Sequence, residues 1–84
     1  METIINTSSI EARVKAIFVE KLGVEEHALT RNASFSDDLG LDSLDVLETF
    51  TTLEKQFGIR IADEAAEKLT TVGSVIDYII QNKN

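Results

Sequence analysis

Residues 37–45 read Asp37-Asp38-Leu39-Gly40-Leu41-Asp42-Ser43-Leu44-Asp45. Together with Glu48 this stretch gathers five carboxylates and no basic residue, and Ser43 is the one hydroxyl in the motif. Several chemistries can be built from such a set. A hydrolase nucleophile needs a neighbouring base and oxyanion donors. The chain has a single histidine, His27, in a loop far along the sequence from Ser43. Gly40-Leu41-Asp42-Ser43-Leu44 is also not a Gly-x-Ser-x-Gly elbow, so no catalytic residue is assigned. A calcium loop needs oxygen ligands at alternate positions, a central glycine and a glutamate at the twelfth position. The motif lacks that alternation, so no metal ligand is assigned and a solvated acidic face is the plainer reading. A third chemistry is modification. A phosphate placed on Ser43 at a helix start would meet free N–H groups and the positive end of the helix dipole. The structural alternative is that Asp42 or Ser43 simply caps the helix, and the two roles are compatible.

The elements that position this motif follow from apolar spacing. Ile10, Val14, Ile17, Phe18 and Leu22 recur at three- and four-residue steps, which predicts a helix over 8–22. Ser8 and Glu11 fit a capping box, and Gly23 stands at the expected left-handed exit. Residues 24–41 have no sustained period and read as a long loop pinned to the core by Val24, Leu29, Phe35, Leu39 and Leu41. A loop of that length in a small domain is often functional. Val46, Phe50, Leu53 and Phe57 predict a second helix over 43–57, closed by Gly58. Asp63 to Leu69 predicts a brief helix with Ala65, Ala66 and Leu69 inward. Thr70-Thr71 caps a last helix carrying Val72, Val75, Ile76, Ile79 and Ile80. The expected fold is all-α: a small four-helix bundle with three longer helices, one short helix and a long loop after the first. Residues 1–7 read as a flexible lead-in and 8–84 as one domain.

A helical wheel at about 100° per residue places Leu44 almost opposite the buried stripe of the second helix, with Leu47 and Thr51 on the flank. Leu44 is therefore expected to be exposed among Asp42, Asp45 and Glu48. An apolar residue ringed by carboxylates suits a basic partner with an apolar pocket. Single exposed leucines are also common without any such role.

Composition narrows the class further. The chain has 84 residues, a formal net charge of −7 and no cysteine. Such a balance argues against nucleic acid and against an anionic membrane surface, both of which recruit Lys and Arg. No apolar run approaches the roughly 20 residues of a membrane span. The start, Met1 to Asn6, lacks the basic and apolar pattern of a secretory signal. Asn32-Ala33-Ser34 therefore reads as a chance glycosylation match. A cytoplasmic monomer with basic protein partners is the expectation.

The motif resembles the phosphopantetheine attachment site of acyl carrier proteins. The likeness extends beyond it: Ile10 to Lys15 resembles the family's first helix, Leu22-Gly23-Val24 its exit and Asn32 to Phe35 the approach to the motif. Ala62 to Val72 and Ile76 to Ile79 resemble the later helices, so the likeness covers roughly residues 8–80. The resemblance implies a carrier without catalysis of its own. Ser43 would bear 4′-phosphopantetheine, with Asp42 beside it, attached by a phosphopantetheinyl transferase using coenzyme A and Mg²⁺. The thiol of the arm would hold acyl groups as thioesters, so the reactive sulfur is imported into a chain without cysteine. Asp42, Leu44, Asp45, Leu47 and Glu48 would dock basic faces of ketosynthases and acyltransferases, in fatty acid synthesis first of all.

Some positions depart from the family pattern. Thr49 and Thr51 stand where aliphatic residues or methionine are common, Lys55 and Gln56 where glutamates are common, and Ala62 where proline is frequent. Thr49 is expected either to narrow or polarise an acyl pocket or, since threonine can bond a carbonyl one turn back, to be neutral, and Lys55 to trim the acidic face. These departures leave open a specialised carrier for a polyketide or other dedicated acyl pathway. An unmodified helical binding module is the alternative from a different class.

Overall fold

A computed structural model describes the backbone of residues 7–82 and the side chains of residues 9–82. Four α-helices follow in order: α1 (Thr7–Leu22), α2 (Ser43–Phe57), α3 (Asp63–Lys68) and α4 (Val72–Asn82). A short 3-10 turn, Glu26–Ala28, interrupts the loop between α1 and α2. No strand is formed among the described residues, and the all-helical expectation holds. Residues 1–6 of the expected lead-in lie outside the described residues, while Thr7 already belongs to α1. The expected Ser8 cap likewise rests on a side chain outside them. Glu11, its expected partner, faces Lys15 at 3.2 Å and Arg31 at 3.9 Å.

The apolar periodicities become one core. Val14, Phe18, Leu53, Val72, Val75, Ile76 and Ile79 are fully buried, with Ile10, Ile17, Phe50 and Phe57 close behind. Fully burying one such side chain contributes roughly 1.5–3 kcal/mol. Val46, expected in the buried stripe of α2, is only half-buried. Thr49 takes a place in the core instead, its hydroxyl donating to the Asp45 carbonyl at 2.9 Å. Bonding back one turn removes the cost of an unsatisfied buried hydroxyl.

The loop over 24–41 is as firmly placed as the helices. Leu29, Ala33 and Phe35 are buried. Phe35 stacks on Phe18 of α1 at 5.2 Å and meets Phe50 of α2 edge-on at 6.0 Å. Aromatic pairs of this kind add about 0.5–1.5 kcal/mol beyond the area they bury.

Backbone bonds join the same loop to the start of α4. Phe35 N–H donates to the Thr70 carbonyl at 3.0 Å, Val72 N–H to Ala33 at 3.1 Å and Gly73 N–H to Arg31 at 2.9 Å. Ser34 and Thr71 form an isolated antiparallel bridge. Gly73 is required by this approach, because a Cβ there would lie 2.8 Å from the Arg31 carbonyl oxygen. On the surface the Arg31 guanidinium reaches Asp77 at 2.7 Å. That hydrogen bond, with the charges of Asp77 and Glu11, holds Arg31 above its ordinary pKa, so it stays cationic.

The second half of the chain is closed in the same way. Gly58 ends α2 in a left-handed conformation, its N–H donating to the Glu54 carbonyl at 2.9 Å. The Glu54 carboxylate accepts from Ile61 N–H at 2.7 Å and holds the connector to α3 against α2. Tyr78 of α4 donates its hydroxyl to the Arg60 carbonyl at 3.2 Å. The brief third helix ends one residue before the expected Leu69. Ala65, Ala66 and Leu69 are half-buried against the core.

Candidate functional site

Residues 34–41 form a tight approach to α2. Ser34 N–H donates to the Asp38 carboxylate at 2.7 Å, and Asp37 N–H to the Ser34 hydroxyl at 3.2 Å. Asp38 and Leu39 N–H both return to the Ser34 carbonyl at 3.0 Å, and Leu41 N–H to Phe35 at 2.9 Å. Gly40 has a φ of 65°, a left-handed conformation that costs a side-chain-bearing residue energy. The chain thus turns and delivers Asp42 to the mouth of α2 in an extended conformation.

Asp42 is the cap. Its Oδ1 accepts from Leu44 N–H at 2.8 Å and from Asp45 N–H at 3.1 Å. This resolves the choice left by the sequence, since either Asp42 or Ser43 was a fit cap. Because Asp42 does the capping, the Ser43 hydroxyl is left exposed with no hydrogen-bond partner among the described residues. The expectation of free N–H groups for a phosphate on Ser43 is narrowed: those of Leu44 and Asp45 are engaged by Asp42, which leaves the Ser43 N–H and the dipole of α2 to attract an anion there.

The acidic residues divide into two kinds. The carboxylates of Asp38 and Asp42 bind backbone N–H groups of their own segment. Those of Asp37, Asp45 and Glu48 are exposed and make neither a hydrogen bond nor an ion pair among the described residues. Leu44 is 64% exposed and Leu47 is 48% exposed, as the wheel predicts. Asp42, Leu44, Asp45, Leu47 and Glu48 therefore lie together on the exposed first turns of α2. Among the described residues, no three His, Asp or Glu side chains come together to hold a metal ion.

A groove of about 490 Å³ opens beside Ser43. Phe35, Leu41, Val46, Leu47, Phe50 and Leu69 supply its apolar lining, with Ser43 at the edge and Ala66 of α3 opposite α2. The sequence indicated Ala66 and Leu69 as inward-facing but gave no sign that they bound a groove next to Ser43. Phe35 packs edge-on against Phe50 on the α2 side of the groove, and the Glu54 carboxylate holds the connector to α3 at Ile61. Thr49 is not among the lining residues, and its hydroxyl bonds back to the Asp45 carbonyl as the alternative reading of the threonines expects. Its polarity is absorbed by the Asp45 carbonyl.

Among the described residues no histidine attends Ser43. His27 is exposed in the 3-10 turn and pairs with Glu25 at 3.0 Å, and the groove at Ser43 has no histidine in its lining. The arrangement offers a reachable hydroxyl to an outside enzyme and lacks the parts of a self-contained hydrolase. No described helix is long and apolar enough to cross a membrane.

The family model described as the phosphopantetheine attachment site matches residues 12–79, a span that includes the whole motif, the groove and the loop latched to α4. Members of that family are non-catalytic carriers to which 4′-phosphopantetheine is covalently attached. A free serine hydroxyl on a rigidly presented helix start fits such an attachment, and the chain belongs to the phosphopantetheine-attachment family of carrier proteins.

Proposed function

We propose that the chain is an acyl carrier and that Ser43 is its attachment residue. The observation that carries this is the exposed Ser43 hydroxyl, left without a partner because Asp42 caps α2 alone. During loading by a phosphopantetheinyl transferase, the Ser43 oxygen forms a new bond to phosphorus. The bond from that phosphorus to the nucleotide half of coenzyme A breaks, and the serine proton passes to the transferase. When attached, the arm supplies a thiol that holds acyl groups as thioesters. The protein's own residues then present the cargo. Leu44, Asp45, Leu47 and Glu48, with Asp42, form the face offered to basic surfaces of ketosynthases and acyltransferases. The apolar groove beside Ser43 supports shielding of an acyl chain from water. Fatty acid synthesis is the pathway this reading favours.

The test is an intact mass before and after incubation with coenzyme A, Mg²⁺ and a broad-specificity transferase, with Ser43→Ala alongside. A gain of one phosphopantetheine that Ser43→Ala abolishes is the expected result. A folded protein that gains nothing from several transferases would instead be an unmodified binding module. The pathway is tested by elongation with a fatty-acid ketosynthase: normal elongation supports fatty acid synthesis, and its absence on a loaded carrier favours a dedicated pathway.

A further inference from the structure

The groove beside Ser43 has a neighbour. It shares Leu47, Phe50, Asp63 and Ala66 with a second groove of about 750 Å³. The second half of α2, the 59–62 connector and the start of α3 form this second space. Its lining differs in chemistry. Thr51, Glu54, Lys55 and Arg60 bring both donors and acceptors to it, alongside Ile59 and Ile61. Neither Lys55 nor Arg60 has an ion pair among the described residues. One oxygen of Glu54 is held by Ile61 N–H.

This lining discriminates among ligands. A saturated hydrocarbon here would displace water from charged groups and return no hydrogen bond, which is costly. A bare anion would meet Lys55 and Arg60 but also Glu54 and Asp63, so charge gives it little advantage. Hydroxyl and keto oxygens suit a mixed set: both accept from the cations, and a hydroxyl also donates to a carboxylate.

Resting on the carrier reading above, we propose that the second groove is a subsite for the far end of the cargo. Beyond the plain acyl chains that the first groove takes, it favours chains that are apolar toward one end and bear hydroxyl or keto oxygen remote from the thioester, the cargo of a dedicated pathway. Ala66 is the small residue at the junction that lets the chain pass from one groove to the other.

The experiment loads the protein with two arms of equal length, one ending in a saturated acyl chain and one in the same chain with a terminal hydroxyl. Intact mass verifies each product. Amide shifts are then recorded, together with cleavage by hydroxylamine, which converts the thioester to a hydroxamate and the free thiol. The hydroxylated chain is expected to shift the amides of Thr51, Lys55, Ile59 and Arg60. Its thioester is expected to be cleaved about threefold more slowly than the saturated one, as one net hydrogen bond implies. The double variant Lys55→Ala/Arg60→Ala removes both differences, and so does Ala66→Leu by filling the junction, whereas Lys21→Ala on α1 keeps them. The surface double variant carries the test if Ala66→Leu does not fold. Equal shifts and equal cleavage rates for two correctly loaded chains overturn this inference and leave the carrier reading standing. No mass gain overturns both.

Discussion

Two helix starts in this molecule each carry small polar residues with a serine and use them for opposite ends. At α2 the sequence is Asp42-Ser43-Leu44-Asp45, and at α4 it is Thr71-Val72-Gly73-Ser74. At α4 every hydroxyl is engaged. Thr71 and Ser74 exchange backbone-to-hydroxyl bonds at 3.2 Å, and Ser74 also donates to the Thr71 carbonyl at 2.7 Å. Val72 and Gly73 are buried, and their N–H groups serve the loop. At α2 one carboxylate does all the capping, and the serine beside it projects into solvent unused. A hydroxyl at a helix start is thus structural or available according to which neighbour satisfies the N–H groups. Residue type alone does not decide.

The contrast can be broken at either end. The largest expected effect is on loading: Ser43→Ala abolishes mass gain while the melting temperature stays nearly constant. Thr71→Ala does the reverse, loading normally but losing about 1 kcal/mol, the usual cost of a lost cap, which thermal denaturation reads as a shift of several degrees. Next comes the charge difference between the two ends. Asp45→Lys combined with Glu48→Lys is expected to slow encounter with a basic acyl-processing enzyme by about tenfold at low salt, with the gap narrowing as salt is added. Stopped-flow association checks it, and unchanged rates with several partners would remove the docking face from α2.

Gly73→Ala sharpens the structural end. The new methyl group must displace the Arg31 carbonyl, so a loss of roughly 1–3 kcal/mol is expected, as for other overpacked sites. Asp42→Asn should keep the cap and stability within a few tenths of a kcal/mol while removing one charge, whereas Asp42→Ala loses about 1 kcal/mol. The smallest effect is that of ionic strength on the unmodified protein. Exposed Asp37, Asp45 and Glu48 repel one another, so added salt should raise the melting temperature slightly. A flat response would show that the acidic face is not a source of strain.

Much of this was legible in the chain because apolar spacing and caps are local. The stripe of α2, the exposure of Leu44 and the glycine exits of α1 and α2 all follow from periods and turn chemistry within a few residues. Asp42 and Ser43 were legible as a pair, but their division of labour was not, because it depends on which side chain turns back toward the helix. The back-bonding of Thr49 to a carbonyl one turn behind was legible as one of two readings, but its place in the core ahead of Val46 was not, because a wheel gives direction without depth. The latch of Arg31 and Ala33 to Gly73 and Val72 joins segments far apart in sequence, and no pattern within either one announces it. Gly73 gave the one visible hint, a glycine inside an apolar helix where it lowers propensity without forming a turn. The second groove was equally hidden, since it depends on Glu54 holding the connector at Ile61.

The latch also sets a schedule for synthesis on the ribosome. Arg31, Ala33 and Phe35 each share a backbone bond with residues 70–73, so the loop that presents Ser43 lacks those bonds while α4 is still unmade. A nascent chain can wind α1 and even α2 earlier, because helices close over local contacts. It does not yet have the bonds that tie Arg31, Ala33 and Phe35 to the start of α4. On the carrier reading proposed above, a transferase that recognises the finished surface around Ser43 would load complete chains ahead of half-made ones.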